Sequence, residues 1–577
     1  MSDPAPPDAF AALVATFQSG HVDAAHTGAE RLLQDHPEDS RLWNLFAAIE
    51  TQRGQMDAAL DAFGKSLSLD PNNARALNNR AGLFQRLDRL EDAIADATAG
   101  LRLLPNDPEL LNTLAGAQIL QGNLAEAEAN LRTCLHAQPD YVEALVNLGV
   151  VLSGRGDPKG GVDHLQRALA LRPSYDRART NLGNALIDCG RHQEAIKVLQ
   201  AVPPASPDVG TAARNLARAY EELGDLDRAA DHAQSAINAA PDTVAAYLQL
   251  ARMGRLAIGD QNVTRMEALA ADPTLGRGER QDLLFALARA YDRAPGTEER
   301  AMGILSQANR LCRDGVHWDP HASFALHRHV QRIDRVGPLG PPLHPIPVFI
   351  VGMPRSGSTL IEQVLSSHAQ VDGGGEHAAL EHALSDLASK GAIDASALAA
   401  AYHALRPVAA AGTTHQTDKN LFNFRYIGPI ADAFPDAPII HTRRHPMAVC
   451  WSIYQNKFSD GTMPFGYDLA DIGAYYRRYL DVMAHWDRAL PGRCYTLDYR
   501  ALTENQEAET RRLLDHLGLP FDPACLAFQD NDRVVATASS VQVRQKMFKG
   551  SSEAWRRYET HLEPLKRALG DALDGWD

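Results

Sequence analysis

Pro347-Val-Phe-Ile-Val-Gly-Met-Pro-Arg-Ser-Gly-Ser-Thr-Leu-Ile-Glu-Gln-Val-Leu-Ser-Ser-His368 reads as a buried strand, a Gly/Ser loop and an apolar-periodic helix in succession. Val348 to Val351 form a short β-branched and aromatic run, and Gly352, Pro354 and Gly357 break it. Leu360, Ile361, Val364 and Leu365 then recur at helical spacing. A loop of this shape turns several backbone N–H groups and a helix N-terminus toward one point, which is where a phosphate binds. The spacing from Gly352 to Gly357 fits the G-x-x-x-x-G-K-[ST] frame of a nucleotide-triphosphate loop, but Ser358 stands where the lysine belongs. The positive charge sits inside the loop instead, as Arg355. The phosphate cradle is kept and the lysine that reaches a γ-phosphate is lost, which points to a different phosphate-bearing cofactor.

Downstream of this stretch, short β-rich runs alternate with helical ones. Ala437 to Thr442 and Arg493 to Leu497 read as further strands. Such alternation predicts an α/β domain with a parallel sheet over residues 348–577, whose ligands lie beyond the carboxyl ends of the strands. The second strand runs into His441-Thr-Arg-Arg-His-Pro-Met-Ala-Val-Cys-Trp-Ser-Ile-Tyr-Gln-Asn-Lys457. Arg444 at a strand end and Ser452 two turns into the next helix can both reach one dianionic phosphate.

Upstream, Val336-Gly-Pro-Leu-Gly-Pro-Pro-Leu-His-Pro-Ile-Pro347 can hold neither helix nor central strand and marks a linker over 336–347. Before it the chain repeats. Prolines fall at 37, 71, 105, 139, 173, 207 and 241, each 34 residues after the last. In the same register come Ala25, Ala59, Ala93, Ala127, Gly161, Ala195 and Ala229. Each is preceded by five residues by Gly20, Gly54, Asp88, Gly122, Gly156, Gly190 or Gly224. Three locked columns describe a helix, a turn, a second helix whose small residue admits close approach, and a proline that stops it. The pattern resembles the tetratricopeptide repeat over about residues 8 to 245. It implies an all-α solenoid over 1–245 whose concave face takes a protein or peptide partner. Residues 246–335 lose the register and read as a degenerate helical cap on that solenoid and a connector.

The composition sets outer bounds. With 577 residues, 45% hydrophobic and 22% charged, the chain is an ordinary folded protein. A net charge of −15 argues against a general nucleic-acid binder, so an anionic cofactor needs a local cationic pocket. The six cysteines show no C-x-x-C pairing, the N-terminus has no secretory pattern, and no apolar run is long enough to span a membrane. The expectation is a cytoplasmic protein without a structural metal.

The loop Pro354-Arg-Ser-Gly-Ser-Thr359 and the Arg444-to-Ser452 element together resemble the two phosphate-binding segments of sulfotransferases. Those enzymes use 3′-phosphoadenosine 5′-phosphosulfate. The whole layout resembles the bacterial tetratricopeptide-repeat sulfotransferases, related to the tyrosylprotein type. The resemblance implies that Arg355, Ser356, Gly357, Ser358 and Thr359 bind the 5′-phosphosulfate, and that Arg444 and Ser452 bind the 3′-phosphate. Thr417 to Arg425 is similar to a lysine-bearing stretch of that family and nominates Lys419 as a catalytic cation. Gly373-Gly-Gly-Glu-His377 is similar to the segment that carries its glutamate base and nominates Glu376, with His377 as a second base. Leu497 to Leu502 places Tyr499 near the nucleotide, and Lys549-Gly550 is similar to the closing loop before a tryptophan helix.

The chain also departs from that family. Asn456 occupies the position of a second cation four residues after the serine, with Lys457 next to it. The last cation falls among Arg544, Lys546 and Lys549. Glu362, Glu381 and Asp372 are rival carboxylates, Tyr499 can equally fill a core edge, and Ser356, Ser358 and Thr359 can equally be helix caps. Two other classes stay open: a nucleotide kinase with an atypical loop, and a non-catalytic scaffold. The acceptor is a hydroxyl, with a peptide tyrosine, a saccharide and a small molecule all compatible.

Overall fold

Each residue of the turn column adopts a left-handed backbone. In a computed structural model that describes residues 4–320, 324, 343–391, 393–458, 462–531, 550 and 552–576, Gly20, Gly54, Gly122, Gly156, Gly190 and Gly224 have φ between 73° and 89°, and Asp88 has φ 57°. The chain reverses there between the two helices of a pair, for example Ser40–Arg53 and Met56–Leu69. Seven such pairs run from Pro7 to Ala239. The small column is buried throughout, at the seam between paired helices. At Gly161 the seam is closest: a Cβ would lie 2.7 Å from the Gly149 carbonyl oxygen and 2.4 Å from Ser153 Oγ. Successive repeats are also stitched side to side. Asn79 Nδ2 donates to Asn44 Oδ1 at 3.1 Å, and Asn147 Nδ2 donates to Asn112 Oδ1 at 2.9 Å. These helices form the tetratricopeptide solenoid the sequence predicts.

The chain divides into two compact units, Met1–Ala246 and Tyr247–Asp577. Helices Gln261–Ala271, Arg277–Asp292 and Glu298–Arg313 lie in the second unit with the α/β sheet. The expected helical cap on the solenoid is therefore corrected: this segment belongs to the unit that holds the sheet. Named contacts show what it packs against. Asn309 Nδ2 donates to the Tyr454 carbonyl at 3.0 Å, and Lys457 Nζ to Asp282 Oδ1 at 2.7 Å. Arg557 reaches Glu298 at 2.7 Å, and the Tyr558 hydroxyl donates to Asp292 Oδ1 at 2.5 Å. The Pro/Gly stretch falls within the second unit, and its residues 336–342 lie outside the described ones.

The sheet has five parallel strands in the order β2-β3-β1-β4-β5: β1 Ile346–Gly352, β2 Val371–Asp372, β3 His415–Asp418, β4 Ile439–Arg443 and β5 Cys494–Asp498. Val348, Phe349, Ile350 and Val351 of β1 are wholly buried, as a central strand covered on both faces must be. Val348 and Ile350 join Ile361, Val364, Leu365, Ile440 and Leu513 on one face. Phe349 meets Tyr402 and Phe434 on the other. The chain leaves β1 toward the β2–β3 side and returns to β4, so the carboxyl end of β1 is the switch point of the sheet. Among the described residues no helix is long and apolar enough to cross a membrane.

The seam and the exposed helix faces respond oppositely to an added methyl group. Gly161→Ala should destabilise the solenoid by about 1–3 kcal/mol, because the backbone of the facing helix must move. Gly64→Ala, on helix Met56–Leu69 with nothing within 4 Å of the new Cβ, should stabilise it by about 0.5–1 kcal/mol. Urea unfolding followed by far-ultraviolet circular dichroism checks both signs.

Candidate active site

The loop after β1 is held open by backbone geometry. Arg355 has φ 70° and Gly357 φ 100°. A Cβ on Gly357 would lie 2.2 Å from the Tyr499 ring, so only glycine lets the loop pass beneath that side chain. Gly357 is the N-cap of helix Ser358–Ser366, with no side-chain capping bond. The cap reading of Ser356, Ser358 and Thr359 therefore gives way to another arrangement. Ser356 Oγ shares a 2.5 Å hydrogen bond with Thr442 Oγ1 and ties the loop to β4, and Ser358 and Thr359 are buried in the helix's first turn.

The end of β4 brings Arg444 over the same loop. Its Nη1 donates to the Arg355 carbonyl at 3.1 Å, its Nε to Ser552 Oγ at 3.2 Å, and its guanidinium faces the Tyr499 ring at 4.9 Å. Ser452, on helix Pro446–Tyr454, accepts from Arg355 Nε at 2.9 Å. Burial, then the charges of Arg444 and Arg289, push the Arg355 pKa down to about 10, against the pull of Glu376 and Tyr499. Burial lowers Arg444 as well.

The end of β3 supplies the third side. Lys419 is fully buried and donates to Glu376 Oε1 at 2.6 Å, with Glu362 Oε2 at 3.8 Å. The Glu376 side chain is 58% exposed, so it opens outward while its other end is anchored. Glu362, read as a rival carboxylate, is 2% exposed and committed elsewhere. Its Oε1 accepts from Gly375 N at 2.9 Å and from Thr417 Oγ1 at 2.7 Å, and so fastens the loop that carries Glu376 to β3. Glu381 is engaged by Arg425 and Asp372 by Gln416.

Beneath Lys419 lies a buried group that the sequence did not single out. Asp418 accepts from the Tyr402 hydroxyl at 3.1 Å, from Asn423 Nδ2 at 3.1 Å and from Asn420 N at 3.0 Å. Burial raises its pKa to about 7, with the Glu362 charge adding to the rise and these hydrogen bonds opposing it. His377 Nε2 lies 3.8 Å away, its Nδ1 is buried without a hydrogen-bond partner, and burial lowers it to about 4. A histidine so depressed is neutral and weakly basic near pH 7, which disfavours it as the second base.

The structure thus brings Arg355, Ser356, Gly357, Ser358, Thr359, Glu376, Lys419, Arg444, Ser452 and Tyr499 together beyond the carboxyl ends of the strands, from the segments after β1, β2, β3, β4 and β5. Lys549, Arg544 and Lys546 lie outside the described residues. Gly550, with φ 110°, is two residues from the Ser552 that contacts Arg444. Two contributors were missed. Asp418 is polar within a strand and carries no pattern. Arg289 comes from the helical segment ahead of the sheet and bonds Asn456 Oδ1 at 3.0 Å.

Comparison with known proteins locates this geometry. Residues 347–523 match the sulfotransferase family. Residues 152–214 match one tetratricopeptide-repeat family, and 11–74, 50–108 and 205–246 another. An uncharacterized protein of Aquifex aeolicus (strain VF5) is 31% identical over 352 residues, covering 56% of this chain and 46% of that protein. The chain therefore spans about half the length of this relative. Among solved structures it is similar to the APC/C hetero-tetramer Cut9-Hcn1, at 22% identity and TM-score 0.39 over 42% of this chain and 48% of that one. It is also similar to YrrB, described as a TPR protein with an unusual peptide-binding site, at 25% identity and TM-score 0.27 over 32% of this chain and 96% of that one.

Asp418 gives a pH signature. A carboxyl whose pKa rises on folding is protonated in both states below about pH 4 and costs stability as pH climbs through its folded value. The melting temperature of the wild type should therefore fall relative to Asp418→Asn between pH 4 and pH 7, and then run parallel above that. Paired thermal melts across the range check it, and a constant offset would mean that Asp418 titrates normally.

Proposed function

We propose that this chain, which carries a sulfotransferase-family domain behind tetratricopeptide repeats, transfers a sulfuryl group from 3′-phosphoadenosine 5′-phosphosulfate to an acceptor hydroxyl. The observation that carries the reading is the meeting of Arg355, Arg444, Ser452, Lys419 and Glu376 at one switch point of a parallel sheet. The residues suit the donor. Helix Ser358–Ser366 begins at the loop with no side-chain cap, as an anion at that place requires. The half-open ring of Tyr499, pressed against Gly357 and Arg444, offers a flat face beside the phosphates.

The donor supplies an activated sulfuryl group and a nucleotide leaving group; the protein supplies position and charge. The exposed carboxylate of Glu376 takes the proton from the acceptor hydroxyl. Lys419, bonded to Glu376 Oε1 at 2.6 Å, sets the orientation of that carboxylate and places a positive charge beside the transfer. Arg355 neutralises charge that grows on the leaving phosphate, and its depressed pKa marks a site where cations are crowded and desolvated. Arg444 and Ser452 hold the 3′-phosphate, and the resemblance assigns Lys549 and Gly550 to the nucleotide as well. The acceptor we favour is a tyrosine in a protein or peptide that the repeats recruit, and the site of action is cytoplasmic. The described cysteines form no disulfides, in keeping with a reducing compartment.

Glu376→Gln should lower turnover by about 100- to 10,000-fold while nucleotide affinity stays within about twofold, a change too small to reflect a lost contact. Arg355→Ala and Ser452→Ala should instead weaken binding of 3′-phosphoadenosine 5′-phosphate, measured by isothermal titration without magnesium. If the pattern is reversed, the roles are wrong. If the wild type binds no such nucleotide, a kinase or a scaffold takes its place.

A further inference from the structure

We propose that Arg289, on helix Arg277–Asp292, is the cation that completes the 3′-phosphate subsite, replacing in space the positive charge that Asn456 lacks in sequence. The inference rests on the donor reading given above and assigns to the site a residue from outside the segment that matches the sulfotransferase family, residues 347–523.

Continuous contacts lead from Arg289 to the loop arginine. Arg289 Nη2 donates to Asn456 Oδ1 at 3.0 Å. Asn456 Nδ2 donates back to the Ser452 carbonyl at 2.7 Å. The Ser452 hydroxyl receives Arg355 Nε at 2.9 Å, and the Arg355 carbonyl receives Arg444 Nη1 at 3.1 Å. Asn456 thus works as a bracket that points a guanidinium from another helix toward Ser452. The neighbouring candidate is turned away: Lys457 Nζ is held by Asp282 Oδ1 at 2.7 Å and by the Gly278 carbonyl at 3.3 Å, on the same helix as Arg289. One lysine therefore fastens the helix, while the arginine about two turns further along the same face is delivered to the site. Asn309 Nδ2, bonded to the Tyr454 carbonyl at 3.0 Å, fixes the next helix to the same end of Pro446–Tyr454.

Charge gives the physical reason. Arg289 makes no ion pair with a carboxylate among the described residues, and burial together with Arg293 and Arg252 lowers its pKa against the pull of Asp292. Its field in turn lowers that of Arg355. Crowding guanidinium groups in a desolvated place is unfavourable until an anion arrives. A phosphate monoester carries close to two charges, and Arg444 alone supplies one; a second planar fork suits the remaining oxygens.

The test uses the full chain and two probes, 3′-phosphoadenosine 5′-phosphate and adenosine 5′-monophosphate, in isothermal titration. Arg289→Ala should weaken the first by about 10- to 100-fold and leave the second within about twofold, a change too small to count as a lost contact, so that preference for the 3′-phosphate collapses. Equal losses for both probes would make Arg289 a structural clamp and overturn the proposal, as would no loss for either. Should Arg289→Ala fail to fold by circular dichroism, Arg289→Lys takes its place: a smaller loss confined to the 3′-phosphorylated probe supports the assignment, and an equal or absent loss overturns it. A wild type with no preference between the probes is a different failure, since it removes the donor reading and this subsite with it.

Discussion

Positive charges forced together at the carboxyl edge of a parallel sheet are the constraint on which the second unit is built. Arg355 and Arg444 touch through a backbone carbonyl, Arg289 stands close enough to depress Arg355, and Lys419 is wholly buried at the end of β3, the strand next to β1. Such a group of cations would relax apart in a loose loop. Here each is fixed by something rigid: Arg355 by a left-handed backbone and Ser452, Arg444 by the Tyr499 face and Ser552, Lys419 by Glu376. The fold holds these cations in a crowded, desolvated arrangement that an anion would relieve, which is preorganisation in its electrostatic form.

The carboxylates divide the remaining work by exposure. Glu362 is buried and used up in holding Gly375 and Thr417. Asp418 is buried deeper, and its raised pKa lets it sit near neutrality among Tyr402, Asn420 and Asn423 without a formal cation. Glu376 alone of the three reaches outward. A glycine run makes this possible, since a Cβ on Gly374 would lie 2.2 Å from the Thr417 carbonyl oxygen. The loop runs tight against β3 and presents its glutamate at the rim. One strand therefore sets the exposed glutamate, the cation bonded to it and the anchor of their loop.

What the sequence disclosed follows from which forces leave a periodic trace. The repeat columns were legible because helix pairing demands a small residue and a left-handed turn every 34 positions, and Asp88 obeys the turn rule even without being glycine. β1 was legible because a strand buried on both faces must be continuously apolar, although it starts at Ile346, two residues earlier than expected. β3 was not. His415-Gln-Thr-Asp418 is buried at every position yet polar at every position, and its burial is sustained by side-chain hydrogen bonds that only the folded neighbours reveal. The same limit applies to Arg289, whose partner is 167 positions away.

That distance bears on where the α/β unit begins. A Pro/Gly run looks like a boundary because it cannot hold regular structure, but a boundary is a place where few contacts cross. Contacts cross this one densely: Asp282 to Lys457, Arg289 to Asn456, Asn309 to Tyr454, Glu298 to Arg557 and Asp292 to Tyr558. All converge on the end of the helix that carries Ser452 or on the C-terminal turn packed beside it, where Trp451 and Tyr558 lie 4.5 Å apart. The helices ahead of the sheet brace the helix that carries Ser452 from behind. Physical domain and sequence-family segment differ here by about a hundred residues, and the difference is made of the contacts that hold Ser452 in place.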